Sequence, residues 1–268
     1  MPATFPSHAG FVLPLKLWRP AWFDGVALVL GSTLPDLVYV GGCCGPPQTY
    51  GHTWWGTLVL VPLGLVLAWL VRWAAPTVAA HLPRAGPLAL RDYGVLGLTQ
   101  PRLWVTVACV WLGAVSHVLT DHVTHASVSG TGVGISALAA EVVPGVPWWI
   151  ALHLAGSALG AAAWLAITVH IGRKRLLVRW HGPAPEVPTR PRLFWGTVAG
   201  VSLGSLAAVS VLVTPVWSSG PEHLPHPVVL ANRVGVAVFL ALLVATLATS
   251  SSRSRAAAAT GRPALPSR

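Results

Sequence analysis

His117, Asp121 and His125 recur at intervals of four in the run Ser116–His125. At ~100° per residue, a helix brings the three onto an arc of about 80°. Imidazole, carboxylate and imidazole one turn apart form a clamp suited to a divalent metal. Asp36 and His52 add a carboxylate and an imidazole upstream, and His153 another imidazole downstream. His52, His117 and Asp121 supply the minimum of three ligands with an open position, and Asp121 could bridge to a second ion. Such a metal lowers the pKa of a bound water and polarises a phosphoryl or carbonyl oxygen. Asp36, as a carboxylate that does not ligate, is the candidate base for the attacking water.

These groups sit in a chain built for lipid. Of 268 residues, 54% are hydrophobic and 9% charged, with a mean hydropathy of +0.66. Soluble domains carry roughly 25% charged residues. The net charge of +10 lies between apolar stretches rather than on a soluble module, which argues against nucleic acid as partner and for a lipid bilayer. Ionisable groups inside a span are costly to desolvate, so they mark function by default.

Six stretches approach the length needed to cross ~30 Å of hydrocarbon: Phe23–Val40, Trp55–Ala75, Leu103–Thr124, Trp148–Ile171, Phe194–Trp217 and Val228–Thr249. The expected fold is an all-α polytopic membrane bundle of about six transmembrane helices over residues 1–249. A disordered cytoplasmic tail is expected over 250–268. Lys and Arg fill alternate loops and the tail and are missing from the first, third and fifth loops. The positive-inside rule then puts the C-terminus in the cytoplasm. Asp36, His52, His117, Asp121, His125 and His153 fall at one depth, towards the extracytoplasmic side. A half-helix from about His8 to Trp18 would carry His8 to the same depth as a re-entrant segment.

Other residues read differently. His122 points ~140° from His117 and stays outside the cluster. His81, His170, His181, His223 and His226 read as solvated or interfacial. Arg233 could bind a substrate phosphate, although snorkelling to headgroups is the simpler expectation. Gly156-xxx-Gly160 and Gly196-xxx-Gly200-xxx-Gly204 read as helix-packing seams.

Pro2–His8, the Gly31-Ser-Thr-Leu-Pro-Asp36 turn, His52-Thr53 and the Ser116–His125 run together resemble the bacterial membrane family catalogued as domain of unknown function 4184 (DUF4184). The order of motifs is more distantly similar to membrane-bound metal-dependent hydrolases and zinc-dependent phospholipase C. That resemblance implies one zinc on His52, His117 and Asp121, a second on His8 and a bridging Asp121, and Asp36 as base. It implies a third-metal role for His125. The chain departs from the pattern in lacking the following His-xxx-Glu pair, since Ser157 stands four residues after His153, and in lacking an N-terminal Trp ligand.

The function expected from these features is a hydrolase of phosphoester or lipid-linked substrates, with one or two divalent ions, zinc foremost. It would sit in a bacterial inner membrane with its site facing outwards. The competing readings are a transporter using the cluster as an ion relay, and a non-catalytic scaffold or metal sensor.

Overall fold

The computed structural model describes residues 4–41, 50–84, 86–125, 135–217 and 227–259. It is 79% helical. The only sheet among the described residues is a small hairpin, β1 (Glu141–Val143) antiparallel to β2 (Val146–Pro147).

The chain opens with α1 (Thr4–Val12) and α2 (Pro14–Trp18), the second restarted by Pro14 at its first turn. The expected half-helix is therefore two pieces. His8 lies on the first and is 1% exposed.

The stretch Phe23–Val40 is not one span. It divides into α3 (Gly25–Gly31), α4 (Leu34–Leu37) and a 3-10 turn over Val38–Gly41. Ser32 and Thr33 turn their hydroxyls back onto the carbonyls of Val29 and Leu30, each at 2.8 Å. Pro35 then lacks the N–H that a continuous helix needs. Local bonds and a missing donor together end α3 before it can cross a bilayer.

Downstream lie α5 (Trp54–Val59), α6 (Val61–His81), α7 (Leu103–Thr124), α8 (Trp148–Arg173), α9 (Leu176–His181), α10 (Pro191–Trp217) and α11 (Pro227–Ala259). Among the described residues, four helices are long and apolar enough to cross a membrane: Trp54–His81, Leu103–Thr124, Trp148–Arg173 and Val229–Ser251. α10 packs along α11. α11 continues to Ala259, so the first part of the expected disordered tail is helical. Residues 260–268 lie outside the described residues, as do His223 and His226.

Glycines set the close approaches. A Cβ on Gly10 would stand 2.0 Å from the Gly160 carbonyl oxygen, and one on Gly160 would stand 2.5 Å from that of Ser7. α1 therefore lies backbone to backbone on α8, as the Gly160 seam predicted. The Gly196, Gly200 and Gly204 seam is not met: a Cβ on each finds nothing within 4 Å among the described residues. α3 meets α7 in the same way. A Cβ on Gly31 would reach 2.1 Å from the Val110 oxygen, and one on Gly113 2.4 Å from the Leu28 oxygen. Around this seam Val12, Leu28, Leu34 and Val110 form the core.

Two polar clips lock the opposite end. Asp24 caps α3 through Ala27 N–H at 3.3 Å, and its other oxygen takes Thr106 Oγ1 at 2.9 Å and the Arg72 guanidinium. His81 is buried rather than solvated, contrary to expectation. Its Nδ1–H donates to the Thr77 carbonyl at 2.8 Å, its Nε2 accepts from Arg190 N–H at 2.9 Å, and its ring stacks on Phe194. The imidazole thereby ties the end of α6 to the start of α10.

Candidate metal centre

The broken first stretch is what builds the site. Because the chain turns at Ser32 and Thr33, α4 presents Asp36 to the last third of α7. The Ser32 carbonyl also faces α7 and accepts a bond of 2.7 Å from His117 Nδ1. A carbonyl can only accept, so Nδ1 carries the proton and Nε2 presents its lone pair. His52 arrives just ahead of α5, where Thr53 Oγ1 caps the helix by accepting from Gly56 N–H at 3.0 Å.

Asp36, His52, His117 and Asp121 each offer one ligand atom, and all four atoms lie within 4.8 Å of one another. His52 Nε2 is 3.2 Å from Asp36 Oδ1 and 3.4 Å from Asp121 Oδ2. His117 Nε2 is 3.6 Å from Asp36 Oδ1 and 3.2 Å from Asp121 Oδ2. Donors about 2.05 Å from a tetrahedral zinc stand about 3.3 Å apart. The spacing of these pairs is that of a ligand shell. Asp36, expected as a free base, is thus spaced with the ligands.

Asp121 faces two ways. Its Oδ1 is 3.7 Å from His8 Nε2 and 3.5 Å from His125 Nδ1. The His8 ring stacks on that of His117, centroids 3.8 Å apart. His153 meets His125 edge to face at 5.4 Å. All seven of the expected His and Asp residues therefore gather at one end of the bundle, although His153 reaches only the rim.

Several of these atoms are buried with no hydrogen-bond partner: both ring nitrogens of His8, His117 Nε2, His125 Nε2 and Asp121 Oδ1. His117 Nε2 stands 3.2 Å from Asp121 Oδ2, but a lone pair facing a carboxylate makes no hydrogen bond. Unsatisfied buried polar atoms are expensive, and a cation placed between them would relieve the cost. Burial is graded: the side chains of His117 and Asp36 are 0% and 4% exposed, those of Asp121 and His125 14% and 23%. The opening lies on the Asp121–His125 side.

The sequence pattern of the family described as Domain of unknown function (DUF4184) matches residues 1–251. The chain belongs to that family. The match takes in every residue of the cluster and all four candidate spans. No curated protein and no solved structure matches the chain. Within this DUF4184 member, the buried Asp and His group could hold a metal ion.

Two further residues behave unlike their sequence reading, or as it required. Arg233 does not snorkel: it is 7% exposed and its Nε donates to the Val40 carbonyl at 3.2 Å. The Val38–Gly41 turn packed on α11 offers that acceptor, which no sequence pattern announced. His122 turns away as its angle demands, with Nδ1 donating to Val118 O at 2.7 Å and its ring against Trp54.

Proposed function

We propose that the chain is a membrane-embedded, metal-dependent hydrolase acting on phosphoester or other lipid-linked bonds. It would sit in a bacterial inner membrane, with the C-terminus cytoplasmic and the cluster beneath the outer leaflet. The observation that carries this reading is the 3.2–3.6 Å spacing of Asp36, His52, His117 and Asp121.

An imidazole and carboxylate donor set suits zinc. His52, His117 and Asp121 would hold a first ion with one position left open for water, and Asp121 Oδ1 with His8 and His125 would hold a second. Such a metal would supply a water activated near neutral pH and polarise a phosphoryl oxygen. Asp36, with Oδ1 3.2 Å from His52 Nε2 and 3.6 Å from His117 Nε2, would be the carboxylate that takes the proton from water. The lipid-linked substrate enters on the exposed Asp121–His125 side. His153 at the rim and the Arg233 guanidinium beside the Val38–Gly41 turn are its candidate contacts.

A relay needs a polar route onward through the bundle. Along the face of α7 that carries His117, the next residues towards the other end are Ala114 and Val110, both 0% exposed, and Leu28 of α3 packs there as well. That dry seam favours hydrolysis over ion passage. The test is turnover of phosphodiester and acyl-ester lipids by zinc-loaded protein in proteoliposomes. Asp36→Asn should lower the rate by about 10²-fold or more. Zinc-loaded protein that cleaves nothing, yet passes protons or cations, would replace this reading with the relay.

A further inference from the structure

A second site lies at the far end of the bundle and does not depend on the metal reading. α2, α3, the first half of α7, α9 and the 3-10 segment Leu90–Leu98 line a half-open cavity of about 1360 Å³. Val105 lines it, and from Val105 to Asp121 α7 rises about 24 Å. Its walls are largely apolar, with Leu13, Val29, Leu96 and Trp164 among them. The volume exceeds the roughly 300–1,000 Å³ usual for small-molecule pockets and suits a long hydrocarbon chain.

The charges on this wall do not balance. Asp24 is the one acidic side chain lining the cavity among the described residues. Its carboxylate is already engaged by Arg72, Thr106 Oγ1 and Ala27 N–H. Lys16, 8% exposed, has no carboxylate partner among the described residues. Its Nζ donates to the carbonyls of Pro20 at 2.6 Å and Phe23 at 2.9 Å, which leaves one N–H, and it stands 5.3 Å from the centre of the Trp180 ring. Arg102 at the start of α7 and His181 at the end of α9 complete the mouth. Burial, and after it the Lys16 charge, lower the His181 pKa below the ordinary imidazole value, with Asp24 acting in the opposite sense. The carboxylate nearest Lys16, that of Asp24, is shared with Arg72, and a buried cation that is only partly compensated is costly. An occupant that matches this cavity brings a negative group to Lys16 and an apolar tail to the walls.

The geometry points to a binding site for an anionic phospholipid, its phosphate held by Lys16 and Arg102 and one acyl chain laid along the cavity. The basic loops of the sequence lie at this same end, where an anionic leaflet would attract them.

The experiment uses the full chain, delipidated in detergent and titrated with phosphatidylglycerol, phosphatidylcholine and glycerol phosphate, and read by native mass spectrometry. One phosphatidylglycerol should be retained per chain, at least about tenfold tighter than phosphatidylcholine. Lys16→Gln should erase that preference, and Lys16→Arg should keep it. Arg102→Gln, exposed and safe for folding, should weaken it. Val29→Phe should weaken both lipids by filling the cavity. Zinc content should not change in any of these variants, so failure here and failure of the metal reading are separable. Equal affinity for the two lipids would overturn the proposal. So would glycerol phosphate binding as tightly as the lipid, or a preference surviving in both Lys16→Gln and Arg102→Gln.

Discussion

Gly113→Ala should weaken metal binding without touching a ligand. The added Cβ would stand 2.4 Å from the Leu28 oxygen and 2.7 Å from Ser32 N, where ordinary contacts begin near 3.4 Å. Relief requires α3 and α7 to part by about 1 Å. The His117 Nδ1 to Ser32 bond, one turn along the same helix, is 2.7 Å. The same parting stretches it to about 3.7 Å, beyond hydrogen-bonding length. Loss of the bond that orients a ligating histidine costs about 10–100-fold in metal affinity. Stability responds to two opposed effects. Alanine gains about 1 kcal/mol in helix propensity over glycine, and overpacking costs about 1–3 kcal/mol. The net change should be destabilising by about 0–2 kcal/mol. Zinc competition against a chromophoric chelator, with thermal unfolding in parallel, measures both. Gly196→Ala, with nothing within 4 Å among the described residues, should keep wild-type affinity. If Gly113→Ala binds zinc as tightly as wild type, the claim that Ser32 orients His117 is wrong.

Chelation should lower the unfolding temperature and zinc should restore it, because an ion at 100 times its Kd adds about 2.7 kcal/mol; an unchanged transition would count against a metal shared by separate segments of the chain. Asp24→Asn should destabilise by about 3–5 kcal/mol by leaving Arg72 buried and unpaired, with zinc content retained; denaturant unfolding in detergent reads the first and elemental analysis the second. His81→Ala should cost about 1–3 kcal/mol and expose the start of α10 to hydrogen exchange, again with the metal retained. Arg233→Ala should raise KM for an anionic lipid substrate more than it lowers kcat; an unchanged KM would remove Arg233 from substrate binding.

The cluster was legible because its parts follow simple rules. A four-residue interval fixed one face of α7, and the alternation of basic loops gave Asp36, His52 and His153 the same depth. His8 joins the cluster from α1 rather than from the single half-helix the sequence suggested. Tertiary backbone partners had no such signature. The Ser32 carbonyl that orients His117, the Val40 carbonyl that holds Arg233 and the Arg190 N–H that engages His81 are backbone groups, and any residue type could have supplied them. The break in Phe23–Val40 was readable in principle, since Ser32, Thr33 and Pro35 are all helix-ending residues. Apolarity alone made the stretch look like a span. Asp24, Arg72 and Lys16 sit far apart in sequence, and no spacing relates them before the fold does.

Elemental analysis of the detergent-purified full chain beside His117→Ala tests the central claim most directly. Wild-type protein should retain one or two equivalents of a divalent transition metal, zinc foremost, and the variant should lose at least one of them. Wild-type protein free of metal after zinc loading, or a variant that keeps the full complement, would contradict a shared ion held between His52, His117 and Asp121.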